Sequence, residues 1–152
     1  MEKRHEVLFQ QLEDYRRELL RVLDGLSEEE ADIVPKGFSN NIRWNLGHVY
    51  LDQYLWIQHV TKEPILFPEG FRDWFGFGTS PAAWKTQPPS LSVLKELLAE
   101  QPKKIREWYG ERLEEQFAPT ESGMYTIAQV LVRTIFHEGQ HLAKIQDIRR
   151  FL

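Results

Sequence analysis

Along the first quarter of the chain, apolar residues recur at three- and four-residue steps: Val7, Leu8, Leu12, Tyr15, Leu19, Val22, Leu23 and Leu26. That is the spacing of one face of an α-helix. It predicts a first helix from about Lys3 to Asp24, with Gly25 as its C-cap. Ser27-Glu28-Glu29-Glu30 reads as a capping box opening a short helical turn, and Pro35-Lys36-Gly37 breaks the chain. A second helix starts near Ser39 to Asn41, carries Ile42, Trp44, Leu46, Val49, Leu51, Leu55 and Trp56, and ends near Lys62. After Pro88-Pro89-Ser90, a third stripe of Leu91, Leu94, Leu97, Leu98, Ile105, Trp108 and Leu113 predicts another helix, kinked at Pro102. Thr126-Ile127-Ala128-Gln129 is a second capping box, opening a fourth helix that runs to about Arg150.

Residues 63–89 interrupt this regularity. They hold Pro64, Pro68, Pro81, Pro88 and Pro89 together with Phe67, Phe71, Trp74, Phe75, Phe77 and Trp84. A connection this long in a compact domain is functional or disordered. So many aromatic rings argue for order, because burying them offsets the entropy of fixing the backbone. The expectation is an ordered lid or side flap. No segment alternates with a two-residue period between hairpin turns. The pattern therefore predicts an all-α protein: an antiparallel four-helix bundle with a long crossover loop, formed by residues 1–152 as one domain.

Composition narrows the functions. A chain of 152 residues with 41% hydrophobic content can bury a proper core. The net charge of −4 comes without a basic cluster, which speaks against a nucleic-acid partner. The absence of cysteine excludes disulfides, thiolate metal ligands and a protein-borne thiol nucleophile. No run approaches the roughly 20 apolar residues of a membrane span, and the charged start Met1-Glu2-Lys3-Arg4-His5-Glu6 has no signal-peptide character. A cytoplasmic protein without membrane contact is the expectation.

The strongest chemical signal is His137-Glu138-Gly139-Gln140-His141. Two imidazoles at i and i+4 leave one helix face close enough to share a metal ion. The fourth helix has a broad apolar arc of Ile127, Val130, Leu131, Ile135, Leu142, Ile145 and Ile148, with His137 and His141 at one edge and Glu138 near the middle. A carboxylate there is unfavourable unless paired or hydrogen-bonded. Glu138 is either a catalytic group or the partner of an arginine from a neighbouring helix. His48 shares an inward stripe with Trp44, Leu51 and Leu55, and Gly47 beside it thins the second helix for a close approach. Asp52, one turn on, is positioned to accept from His48 or to act as an extra ligand. His59 lies about 16 Å along the helix from His48 and cannot join it. His5 is expected on the solvated surface. His48, His137 and His141 together suit Zn²⁺, Ni²⁺ or Fe²⁺ with a coordination position left open.

Asn41-Ile42-Arg43-Trp44-Asn45-Leu46-Gly47-His48, then Phe75-Gly76-Phe77-Gly78-Thr79-Ser80-Pro81, then His137-Glu138-Gly139-Gln140-His141-Leu142 resemble the DinB-like (YfiT-like) metalloenzymes over essentially the whole chain. The resemblance implies a four-helix bundle, often dimeric, with a divalent metal on His48, His137 and His141. It also implies transferase or isomerase chemistry with a low-molecular-weight thiol such as bacillithiol or mycothiol as cosubstrate, and no DNA chemistry.

The leading expectation is thus a metal-dependent thiol S-transferase acting on small electrophiles, with Trp44, Asp52, Trp74 and Phe77 lining its substrate site. Phe75 and Trp84 are further candidates for that lining. Metal-assisted hydrolysis with Glu138 as general base is a second reading. A peptidase is disfavoured, because Lys144 and Asp147 stand where a metzincin would have glycine and histidine. A third reading is a non-catalytic module whose metal is structural. Val132, Phe136 and Ala143 form a second apolar patch suited to a homodimer.

Overall fold

A computed structural model describes residues 1–152. It is all-helical: α1 (Lys3–Arg21), α2 (Glu28–Asp32), α3 (Ile42–Thr61), α4 (Phe71–Phe75), α5 (Leu91–Tyr109) and α6 (Ile127–Arg149), with one 3₁₀ turn at Pro81–Ala83. The long helices α1, α3, α5 and α6 form the bundle. No helix is long and apolar enough to cross a membrane.

Local chemistry accounts for the helix ends. Asn41 Oδ1 accepts from the Trp44 amide at 2.7 Å and starts α3. Ser90 caps α5, and complete capping boxes open α2 (Ser27 with Glu30) and α6 (Thr126 with Gln129). Each such cap is worth about 1 kcal/mol. The first helix ends at Arg21 rather than Asp24, and Gly25 takes its positive φ of 75° at the end of the following turn.

Helix directions follow from the residue pairs that meet. Asn45, Gln53 and Trp56 of α3 face His141, Thr134 and Arg133 of α6 in reverse order, so these helices are antiparallel. Arg43 and Tyr50 meet Pro89 and Gln101 in the same order, so α3 and α5 run parallel. Two consecutive parallel helices need a return path. α3 has 20 residues, which at 1.5 Å per residue makes it about 30 Å long. Residues 62–90 cover that distance, and this explains the length of the crossover. The segment packs as it returns: Phe71 and Phe75 are buried in the core, and Phe75 lies against Gly47. The flap is ordered, as its aromatic content predicts.

The buried line of α1 is His5, Phe9, Leu12, Arg16 and Leu19, continued by Leu23 and Leu26. Val7 and Tyr15, expected on that face, are exposed, as is Trp108 of α5. His5 is buried rather than solvated, its Nε2 2.9 Å from Glu114 Oε1. Polar residues on the inward line shift the apparent apolar face by a fraction of a turn.

Arg16 is the centre of a polar network that ties all four long helices. It pairs with Glu138 and donates to the Leu98 carbonyl (2.7 Å), Gln101 Oε1 (3.1 Å) and Gln53 Oε1 (3.1 Å). Gln53 passes the chain on to Thr134 Oγ1, and Gln101 donates to the Tyr50 carbonyl. Pro102 has a structural part in this. It lies inside α5 without ending the helix and has no N–H for the carbonyl four residues back, that of Leu98. Arg16 supplies the missing donor.

Candidate metal centre

His48, His137 and His141 come together, with one ring nitrogen of each within 4.8 Å of the others. His48 comes from the first half of α3 and the other two from adjacent turns of α6. The Nε2 atoms of His48 and His137 are 3.3 Å apart, and those of His141 and His137 are 3.1 Å apart.

The outward nitrogens fix the tautomers. His48 Nδ1 lies 2.8 Å from the Phe75 carbonyl oxygen, which can only accept, so Nδ1 carries the proton. His141 Nδ1 lies 2.7 Å from Asn45 Oδ1, whose amide nitrogen already donates to Asn40 Oδ1 and the Asn41 carbonyl. His137 Nδ1 faces Asp52 Oδ2 at 3.3 Å. Every Nδ1 therefore donates outward, and three bare Nε2 lone pairs face one another. Lone pairs at that separation repel unless a cation lies between them. For Zn–N bonds of about 2.0–2.1 Å, two ligands at a tetrahedral angle sit roughly 3.3–3.4 Å apart. The donor set fits a divalent ion in type and tautomer, and the two Nε2 pairs that His137 makes fit it in spacing. Outer hydrogen bonds of this kind are the usual way a protein orients metal-binding imidazoles.

Electrostatics keep the His137 and His141 rings neutral and therefore able to ligate. Burial, followed by the neighbouring His137 and His48, pushes His141 down to about 3. His137 is also lowered, chiefly by burial, with Asp52 opposing the shift.

Asp52 is thus set differently from expectation. It faces His137 across the helix pair instead of His48 on its own helix, and it also accepts from Trp56 Nε1 at 2.9 Å. His48 takes the flap carbonyl instead. That contact depends on Gly47, because a Cβ there would stand 2.4 Å from the Phe75 ring.

The three histidines open onto a cleft of about 560 Å³ between α3 and α6. Trp44, Asp52 and Phe77 line it, and Trp44 stacks on His48 with ring centroids 4.7 Å apart. Trp74 does not line it: its Nε1 donates to Thr86 Oγ1 and its ring packs against Phe71 and Phe75 inside the flap. Trp84 is also away from the cleft, and Phe75 reaches the site only through its carbonyl. His59 lines the far end of the cleft without joining the cluster. Leu55, Trp56, Arg133 and Gln140 complete the lining and were not anticipated.

Glu138 takes the arginine-partner position, the second of the two roles its sequence context allows. It neighbours His137 in sequence, but its side chain is buried in the core, paired with Arg16, and it does not line the cleft. Adjacent helix residues point about 100° apart, and the apolar arc carries Glu138 into the core. A larger cavity of about 690 Å³ between Asp32, Arg43 and Trp84 contains no histidine, and its two charged residues are paired with each other.

Residues 11–145 match the family model of the DinB superfamily, and the chain belongs to that family. This agrees with the all-helical fold and with a metal-dependent function. No curated protein matches the sequence.

Proposed function

We propose that this protein is a divalent-metal-dependent transferase that joins a low-molecular-weight thiol of the bacillithiol type to a small electrophile. The observation that carries the reading is the convergence of three Nε2 donors on a cleft partly walled by Trp44, Leu55, Trp56 and Phe77. His48, His137 and His141 would hold a divalent ion without cancelling its charge, and that charge would favour the ionised form of a thiol. The chain has no cysteine, so the sulfur must arrive with a cosubstrate.

The protein's own residues supply orientation and shelter. Asn45, Asp52 and the Phe75 carbonyl hold the three imidazoles, while Trp44 and Phe77 offer aromatic surface to the electrophile. In the transfer, the thiol gives its proton to solvent water, a bond forms from sulfur to the electrophilic atom, and the leaving group departs with its bonding pair. Zn²⁺, Ni²⁺ and Fe²⁺ all suit this donor set.

Hydrolysis with Glu138 as base is disfavoured by the turn of that carboxylate into the core. A homodimer is favoured by Val132 and Phe136, which are 60% and 62% exposed on α6. We place the protein in the cytoplasm, where thiol cosubstrates are kept reduced.

The test is cobalt-substituted protein titrated with bacillithiol. A shift in the visible spectrum, together with a rise in melting temperature, is expected. Saturating thiol that changes neither would overturn the reading.

A further inference from the structure

Arg133 is the one guanidinium lining the cleft, and it has no carboxylate partner. Its guanidinium carbon lies 5.3 Å from the centroid of the Trp56 ring and 5.7 Å from that of Phe136. One terminal nitrogen, Nη1, is shielded from solvent and has no hydrogen-bond partner. Buried charged donors are normally paired, so an orphan at the wall of a binding cleft points to a ligand acceptor.

The surroundings define the acceptor. Asp52, the only carboxylate in the cleft, is taken up by Trp56 Nε1 and His137 Nδ1. Arg133 precedes His137 by four residues on α6, one turn or roughly 6 Å along the axis. The cleft thus has a metal-binding end, a cationic end, and apolar walls from Trp44, Leu55 and Trp56 between them.

We propose that Arg133 anchors a carboxylate on the ligand of this cleft, so that the substrate class is a small aryl or alkyl carboxylic acid whose reacting end faces the histidines. A single planar guanidinium matches a carboxylate fork to fork. A phosphate dianion calls for further donors, and the cleft offers no second Lys or Arg. This inference rests on the cleft being the substrate site of the proposed transferase.

Isothermal titration calorimetry of the full chain, zinc-free and zinc-loaded, with phenylacetate, phenylacetamide and phenyl phosphate tests it. In the zinc-free protein, phenylacetate is expected to bind at least roughly tenfold more tightly than phenylacetamide. Arg133→Gln is expected to erase that preference while leaving zinc affinity within about twofold of wild type, since the residue is not a ligand. Should the glutamine variant fail to fold, Arg133→Lys decides, because it keeps the charge and loses the fork: phenylacetate weakens and phenylacetamide does not change. An unchanged acid-to-amide ratio in the variant, no phenylacetate binding to wild type, or a preference for phenyl phosphate would overturn the proposal. Zinc titration of the wild type is a separate readout: its failure removes the metal centre, whereas the zinc-free ratio alone decides Arg133.

Discussion

The Phe75 ring lies so close to Gly47 that a Cβ on the glycine would stand 2.4 Å from it. The contact seats the flap on α3 and aims the Phe75 carbonyl at His48 Nδ1. Gly47→Ala is therefore expected to push the flap outward, at a cost of about 1–3 kcal/mol for overpacking. Metal affinity should fall with it, because His48 loses its orienting acceptor. Gly139, in the His137–His141 turn, has open space around it. Gly139→Ala should stabilise α6 by roughly 0.5–1 kcal/mol and leave metal binding intact. Chemical denaturation and zinc titration of both variants check the contrast.

The Arg16–Glu138 pair gives a second expectation. Both side chains are buried, and removing one partner strands the other charge. Arg16→Met should cost about 3–5 kcal/mol. The double variant Arg16→Met/Glu138→Leu should recover much of that loss, because no charge remains buried. Urea unfolding of the single and double variants measures both. If Glu138 were instead a catalytic base, the double variant would fold and bind metal but lose all turnover.

Much of this was legible in the sequence, and the failures have physical causes. His137 and His141 sit on the edge of an apolar arc, and His48 sits on an inward stripe, so periodicity alone brings them toward the bundle interior. Arg16 was missed because apolar counting skips a charged residue, although 5, 9, 12, 16, 19, 23 and 26 form an unbroken helical line. An arginine in the middle of one line and a glutamate in the middle of another is the signal for a buried pair. Asp52 was assigned to His48 because they are one turn apart, yet side chains on facing helices reach each other as readily. Trp74 could not be separated from Phe77 by sequence, since both belong to an irregular segment whose path is set by the return along the bundle.

Asn45 and Asp52 face the rings of His141 and His137, which would hold the metal. Asn45→Ala should weaken zinc binding about 10–100-fold, the usual range for removing an orienting hydrogen bond. Competition against a chromophoric chelator measures it. An unchanged affinity would mean that packing against Trp44 alone holds His141 in place.

Acid sensitivity has a defined origin and sign. Burial raises Glu28, but the Leu91 amide, Arg43 and the Ser92 amide together outweigh it and hold the carboxyl below its ordinary value of 4.5. Glu63 is lowered by Arg112, and Glu114 by His5. Depressed carboxyl groups contribute stability that is fully present above the unfolded value and is lost as the pH falls through the folded one. Urea midpoints of the metal-free protein should begin to fall below about pH 6.5, where unfolded histidines protonate while His137 and His141 are held neutral by the fold, and fall more steeply below 4.5 as the carboxyl groups join them. Glu28→Gln should lower the neutral-pH midpoint and shrink the drop, because Glu28 links α2, the start of α5 and Arg43 of α3.

The central claim is tested most directly by zinc titration of untagged protein, wild type against His48→Ala, with X-ray absorption of the loaded form. The account predicts one zinc per chain, three nitrogen ligands at about 2.0–2.1 Å, and an affinity loss in the variant of more than about 100-fold, beyond that for a supporting residue. A wild type that binds no zinc, or a His48→Ala variant that binds it as tightly, would contradict it.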